Sequence, residues 1–306
     1  MNNAAKVEEL KFERVVWPYR LMLPFLFIIG WYVHTKKSLY TFFGGQECAP
    51  KTNFWLVDWI SINSRRVRDG AARWLALDAV YNFTKGEGCS WLACAIDDYW
   101  MHIRNAQAVR NRLKIVKQEI EIAILDVVKR KTTNEPVRLL SLAAGSGQGV
   151  IEVVAKLHHA GIRCEVLLVD QDHSALAHAR KLARKHGISD MVATRESNAV
   201  LFYRNLRKWG FKPDIIEMCG LMDYLEDELA ITVIKMIHRC LPPRGLFLTC
   251  HIHPNKESYF LWHVVNWGML YREQQELRSL LMKGGFILPK LHTEPHRIHS
   301  VAVARK

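Results

Sequence analysis

Hydrophobic positions follow two different rhythms along this chain. Up to residue 135 they recur at helical spacing or gather in one long block. Beyond it they come in short runs, each closed by glycine, proline or a polar turn. In the first part, Ile103, Val109, Leu113, Val116, Ile120, Ile124 and Val127 return to one face and predict a long helix over Ser90–Lys131. Glu135-Pro136 then marks a domain boundary. An apolar run begins at Val137 and ends in a glycine-spaced turn; a helical stretch follows, and Glu165-Val-Leu-Leu-Val-Asp170 is a second apolar run. Further strands are predicted at Met191–Thr194, Asp214–Met218 and Gly245–Ile252, with a helix over Glu226–Cys240 broken by Pro242-Pro243-Arg-Gly. After one more helical stretch come Lys283-Gly-Gly-Phe286, an apolar run, and the alternating Ser300-Val-Ala-Val-Ala-Arg305. Two strands joined so briefly must pair antiparallel, because a parallel return needs a crossover of a dozen or more residues. The predicted fold is α/β: a doubly wound, mostly parallel seven-stranded sheet with a C-terminal antiparallel hairpin. Residues 136–306 form that domain, and residues 1–135 a helical N-terminal extension.

The first strand–turn–helix–strand unit is built to hold a nucleoside. Gly145, Gly147 and Gly149 let backbone approach a ligand where a Cβ would collide, and the following helix aims its positive end into the same space. Asp170, 21 residues after Gly149, is placed to accept hydrogen bonds from both ribose hydroxyls. The spacing is G-x-G-x-G, with Val150 where a dinucleotide fingerprint carries its third glycine, which points away from NAD and FAD.

Taken together, residues 137–306 resemble the class I S-adenosylmethionine-dependent methyltransferases. Gly145-Ser146-Gly147-Gln-Gly149 is similar to the family's first motif, which wraps the methionine part of the cofactor; Ala144 leads into it. Asp170, with Gln171 beside it, matches the ribose-holding carboxylate at the end of the second strand. Glu196-Ser-Asn198-Ala199 falls where the family contacts adenine, with Asn198 at a position more often aspartate. Asp214-Ile-Ile-Glu-Met-Cys219-Gly220-Leu matches the fourth strand and the loop facing the reacting methyl, and Leu241-Pro-Pro-Arg-Gly-Leu-Phe-Leu the approach to the fifth. In one respect the chain departs: the family's acidic residue two before the first glycine, which contacts the cofactor's amino group, is here Ala143. The resemblance implies S-adenosyl-L-methionine as cofactor and methyl transfer as the reaction, and another group must then satisfy the ammonium.

Methyl transfer from a sulfonium is an in-line displacement, so alignment carries most of the catalysis, and a base serves to take the proton of an oxygen or nitrogen acceptor. The loops after the fourth and fifth strands face the methyl in such a fold and carry Cys219, Asp223, Tyr224, His251 and His253. His251 and His253 alternate onto one strand face and are candidate bases; Asp223 and Tyr224 are candidate substrate contacts. No N-P-P-Y or D-P-P-Y stretch follows the fourth strand, which argues against the amino-methylating nucleic-acid enzymes that use one. In the long helix, Arg104, Arg110 and Arg112 are candidate cofactor or substrate contacts.

Composition widens the question of partners. The 306 residues carry a net charge of +13, spread over both halves, which favours anionic partners such as nucleic acid or an acidic membrane. The segment Val15–Val33 is apolar but for Arg20, and ringed by Trp17, Tyr19, Trp31 and Tyr32. Pro18, Pro24 and Gly30 interrupt it, so three readings stay open: an interfacial anchor, a helix lidding the substrate pocket, or a transmembrane helix. Phe54–Phe83 interleaves aromatic residues with arginines in a composition suited to a lipid–water boundary. Seven cysteines show no C-x-x-C pair and no metal-ligand rhythm, so no metal is expected. Reduced thiols and a cytoplasmic setting are, with peripheral association on the inner face of a membrane as the variant. The function expected is methyl transfer to a lipid or hydrophobic small molecule at a membrane surface. RNA methylation is the alternative, motivated by charge alone, and a cofactor-binding protein without transfer activity the third reading.

Overall fold

The computed structural model describes residues 10–14, 23–43, 61–84, 90–131 and 135–306. By contact the chain divides into two compact units. One comprises Arg112–His253 and Leu270–Lys306, with the described part of Met1–Phe12; the other comprises the described parts of Glu13–Asn111, together with Pro254–Met269. The division is discontinuous in sequence.

The larger unit holds the sheet. Its strands are β1 (Val137–Leu142), β2 (Cys164–Asp170), β3 (Val192–Glu196), β4 (Ile215–Cys219), β5 (Leu246–Ile252), β6 (Lys290–Thr293) and β7 (His299–Arg305). They lie in the order β3-β2-β1-β4-β5-β7-β6. The first five are parallel; β7 runs antiparallel to β5 with Ile252 opposite His299, and β6 antiparallel to β7. This is the doubly wound sheet with a terminal hairpin that the apolar runs predict. The inner strands are apolar on both faces because helices cover both. One face packs against the long helix Arg104–Arg130 and the helices Gln148–His159 and His173–Lys185, through residues such as Ile120, Ile124, Ile151, Val154, Leu176 and Ala179. The other packs against Phe202–Trp209, Asp227–Cys240 and Gln274–Lys283, through Phe202, Val233, Ile237, Leu277 and Leu281. In chain order these six helices are α5, α6, α7, α8, α9 and α11.

The smaller unit is helical: α1 (Leu23–Phe42), α2 (Ile62–Asp69), α3 (Trp74–Tyr81), α4 (Trp91–Met101), the start of α5, and α10 (Ser258–His263). The single helix expected over Ser90–Lys131 is two. The chain breaks at His102 and Ile103, and the first backbone N–H groups of α5 find a carboxylate. Arg104 N–H donates to Glu257 Oε1 (3.1 Å) and Asn105 N–H to Oε2 (2.9 Å), while Asn105 Nδ2 also donates to Oε2 (2.7 Å). An anion at a helix start satisfies orphaned donors and complements the dipole, so the break is stabilised from far along the chain. Asp97 ties α4 to α2, accepting from the Ser61 hydroxyl and from Asn63 Nδ2.

Of the apolar segment Val15–Val33, residues 15–22 lie outside the described residues. The rest opens α1, which continues to Phe42. Pro24 does not break it, because a first-turn N–H has no intrahelical partner to lose. Leu26, Gly30 and Val33 face inward, and a Cβ at Gly30 would come within 2.9 Å of the Tyr259 ring, so glycine is what admits α10. Lys37 Nζ bonds the carbonyl of His263 (2.9 Å) and Asn266 Oδ1 (2.8 Å). Among the described residues no helix is long and apolar enough to cross a membrane. In Phe54–Phe83, residues 54–60 lie outside the described residues and most of the remainder forms α2 and α3.

One cysteine corrects an expectation. Cys164, Cys219, Cys240 and Cys250 are free, but Cys94 is disulfide-bonded. Such bonds persist in oxidising surroundings, which removes the cysteine argument for a reducing compartment.

Candidate active site

The candidate residues gather where the parallel strands end. At the end of β1 the chain alternates into left-handed backbone: φ is +51° at Ala143, +55° at Gly145 and +62° at Gly147. Successive backbone reversals of this kind turn N–H groups toward a common concavity. Ala144 N–H donates to the Val169 carbonyl (3.1 Å) and Gly145 N–H to Asp170 Oδ2 (2.8 Å), which joins the turn to the end of β2. Asp170 Oδ1 accepts from Asp172 N–H (2.9 Å). A carboxylate has about four lone-pair positions, so each Asp170 oxygen keeps capacity for one further donor, the number a ribose diol brings.

The frame of the glycine turn differs from the one the letters suggest. The three left-handed positions are 143, 145 and 147, and Gly149 is the second residue of α6. Gly147 and Gly149 serve packing: a Cβ on the first would sit 2.7 Å from Leu168 Cδ1, and on the second 3.1 Å from Leu113 Cδ1. Ala143 therefore takes the place of the first glycine rather than of the acid before it. Two residues further back lies Ser141, whose hydroxyl donates to Glu217 Oε2 at 2.5 Å.

The remaining cofactor candidates are spread around the same strand ends. Ser146 is buried, Ala144 half-buried and Gln171 exposed on the rim. Asn198 Oδ1 accepts from Val200 N–H (2.8 Å) and caps the short turn begun by the buried Ala199, which commits its oxygen to structure. Gly220 has φ +103° and open space where a Cβ would point, so glycine is required there by conformation alone. The Cys219 thiol is pushed well above its ordinary range by its hydrogen bond with Cys250 and by burial, and so stays protonated.

The four catalytic candidates fall into different states. His253 is locked: Nδ1 must donate to the Arg272 carbonyl (2.8 Å), which leaves Nε2 to accept from the Ser300 hydroxyl (2.7 Å). Both of its ring nitrogens are thus engaged by neighbouring protein groups, unlike those of His251. His251, fully buried on β5, has Nδ1 2.9 Å from Asp223 Oδ1, although out of line for a straight hydrogen bond. Its Nε2 has no hydrogen-bond partner. Asp223 is held in turn by Ile252 N–H (3.0 Å), and Tyr224 beside it is exposed. Asp223 thus contacts His251. Of the three arginines, Arg110 is held by Glu13 in a two-pronged pair and by the Met101 carbonyl. Arg112 is buried near Glu217 and His299.

Glu217 was not anticipated as a site residue. Its signal is visible in hindsight: an acid inside the otherwise apolar strand Ile215-Ile-Glu-Met-Cys219. Among the described residues no cluster of histidine, cysteine or carboxylate side chains has metal-binding geometry.

The model of a family described as "Putative methyltransferase" matches residues 59–306, most of the chain. No curated protein matches it. Among solved structures, a possible exported protein from Bordetella parapertussis is similar with a TM-score of 0.62 at 14% identity, covering 78% of this chain and 80% of that one. Magnesium protoporphyrin IX methyltransferase from Synechocystis PCC 6803, solved with bound SAH, is similar with a TM-score of 0.51 at 11% identity, covering 80% and 99%. At these identities the likeness is one of fold. The sheet order, the left-handed turn and the carboxylate with spare acceptor capacity all suit S-adenosylmethionine. The chain belongs to this methyltransferase family, and its fold is that of the class I S-adenosylmethionine-dependent methyltransferases.

Proposed function

We propose that the acceptor is a proton-bearing oxygen or nitrogen of a hydrophobic small molecule, with His251 as general base. The observation that carries this reading is the buried pair of His251, near the end of β5, and Asp223, in the turn after β4. The bound cofactor supplies an electrophilic methyl group on a sulfonium. The protein's own task is then to hold the acceptor in line and remove its proton as the bond forms. The Asp223 carboxylate, 2.9 Å from Nδ1, favours the proton of His251 on that nitrogen. This leaves Nε2, the nitrogen without a partner, as the basic atom. Asp170 is proposed to hold the ribose and the turn at Ala143–Gly147 the methionyl part.

His251→Asn tests the base. Loss of general-base catalysis lowers kcat by about 10²–10⁴-fold, while affinity for S-adenosylhomocysteine, measured by calorimetry, stays within twofold. A folded variant with unchanged kcat would remove His251 from the mechanism.

A second observation bears on where the substrate is met. On α1, Phe27, Ile28, Trp31 and Tyr32 are 56–61% exposed, and Phe42 and Phe43 at its end are more so. Exposed aromatic and aliphatic side chains on one helix, in a chain of net charge +13, suit the boundary of a membrane carrying acidic lipids. We propose that surface as the place from which a lipid-like acceptor is drawn.

A further inference from the structure

We propose that Glu217, reaching from β4 to the end of β1, is the anion that receives the α-ammonium of the cofactor's methionyl end. The inference rests on the cofactor assignment and adds a residue to it. A site for S-adenosylmethionine must accommodate a cation at that end, and the cradle strand supplies no acid: from Val137 to Gly149 its one charged residue is Arg138. Other carboxylates near the strand ends are engaged elsewhere: Asp170 with Gly145 and the Asp172 N–H, Asp172 with Ser174, Glu196 with His173, and Asp223 with His251 and Ile252. Glu217 is the acid on the strand beside the cradle.

Its placement suits the task. Glu217 lies opposite Ser141 in the β1–β4 register, two residues before Cys219 and two strand positions from the left-handed turn. Oε2 accepts from the Ser141 hydroxyl (2.5 Å) and Oε1 from Cys219 N–H (2.8 Å). Two donors leave a carboxylate with capacity for more. The side chain is 6% exposed, which makes an acid there expensive unless a cation or further donors stabilise its charge. Burial raises its pKa; the hydrogen bonds from Ser141 and Cys219, and the Arg112 guanidinium, oppose that shift. A bound ammonium would add to the opposing side.

The test compares three ligands by calorimetry. S-adenosylhomocysteine carries the ammonium, its deaminated analogue lacks only that group, and 5′-methylthioadenosine keeps the nucleoside without the amino acid. The wild-type chain is expected to bind S-adenosylhomocysteine at least tenfold more tightly than the deaminated analogue, the size of one charged hydrogen bond. Glu217→Gln should erase most of that preference and leave 5′-methylthioadenosine affinity within twofold. Equal losses for S-adenosylhomocysteine and 5′-methylthioadenosine would mean a structural role and overturn the proposal, as would a variant that keeps the preference. If Glu217→Gln fails to fold, the wild-type ligand pair decides alone: equal affinity for the two overturns it. A wild-type chain binding none of the three would instead defeat the cofactor assignment, a distinguishable failure that takes the proposal with it.

Discussion

Asp170 works in two directions at once. It closes the glycine turn through Gly145 and starts the next loop through Asp172, and it keeps acceptor capacity for the ribose proposed to sit there. Asp170→Ala should therefore weaken S-adenosylhomocysteine and 5′-methylthioadenosine alike, by at least tenfold each, since both carry the diol. That pattern separates it from Glu217→Gln, which should spare the second ligand. Undiminished calorimetric affinity in a folded Asp170→Ala chain would end the ribose assignment. At this scale the sequence was readable for placement, with Asp170 ending β2 beside the Gly145 turn. It was not readable where backbone conformation overrides the letter. Ala143 adopts a left-handed φ that alanine rarely takes, so the turn's frame sits two residues earlier than its glycines indicate. His253 misleads for a different reason. Strand alternation puts it near His251, but its ring is consumed by the Arg272 carbonyl and by Ser300, partners that periodicity cannot reveal.

The parallel strands were legible to within two residues, as apolar runs bounded by turn residues, whereas β6 (Lys290–Thr293) lies beyond the apolar Phe286–Leu288 and is not such a run. Met191–Thr194, Asp214–Met218 and Gly245–Ile252 became Val192–Glu196, Ile215–Cys219 and Leu246–Ile252. The break between α4 and α5 was hidden, since the carboxylate that caps α5 arrives from Glu257, 153 positions away from Arg104. Glu257→Ala removes an acceptor for two backbone N–H groups and the Asn105 amide in a buried setting. The expected loss is about 1–3 kcal/mol in denaturant unfolding, with faster amide exchange over the first turn of α5. Stability within about 0.5 kcal/mol of wild type would show that the cap contributes nothing.

For the whole molecule, the exposed side of α1 and the positive charge make a joint prediction. The full chain should sediment with vesicles containing acidic phospholipid, less with neutral vesicles, and less as salt rises past the screening range. Ile28→Glu with Trp31→Glu, both at exposed positions, should abolish sedimentation without lowering the melting temperature. Equal sedimentation of wild type and variant, or none by either, would refute the membrane proposal. The apolar letters of α1 announced an unusual segment, but not that Leu26, Gly30 and Val33 were reserved for α10 while Phe27, Ile28 and Trp31 stayed outside. That split depends on residues far along the chain.

The same arrangement has a consequence for biosynthesis. The inner side of α1 is covered by Ser258–His263, and the first turn of α5 is capped by Glu257, so the helical unit lacks part of itself until those residues leave the ribosome. Most of the sheet's strands are already available by then, which makes the N-terminal helices the portion of the nascent polypeptide that waits longest for its partners and most needs shielding from aggregation.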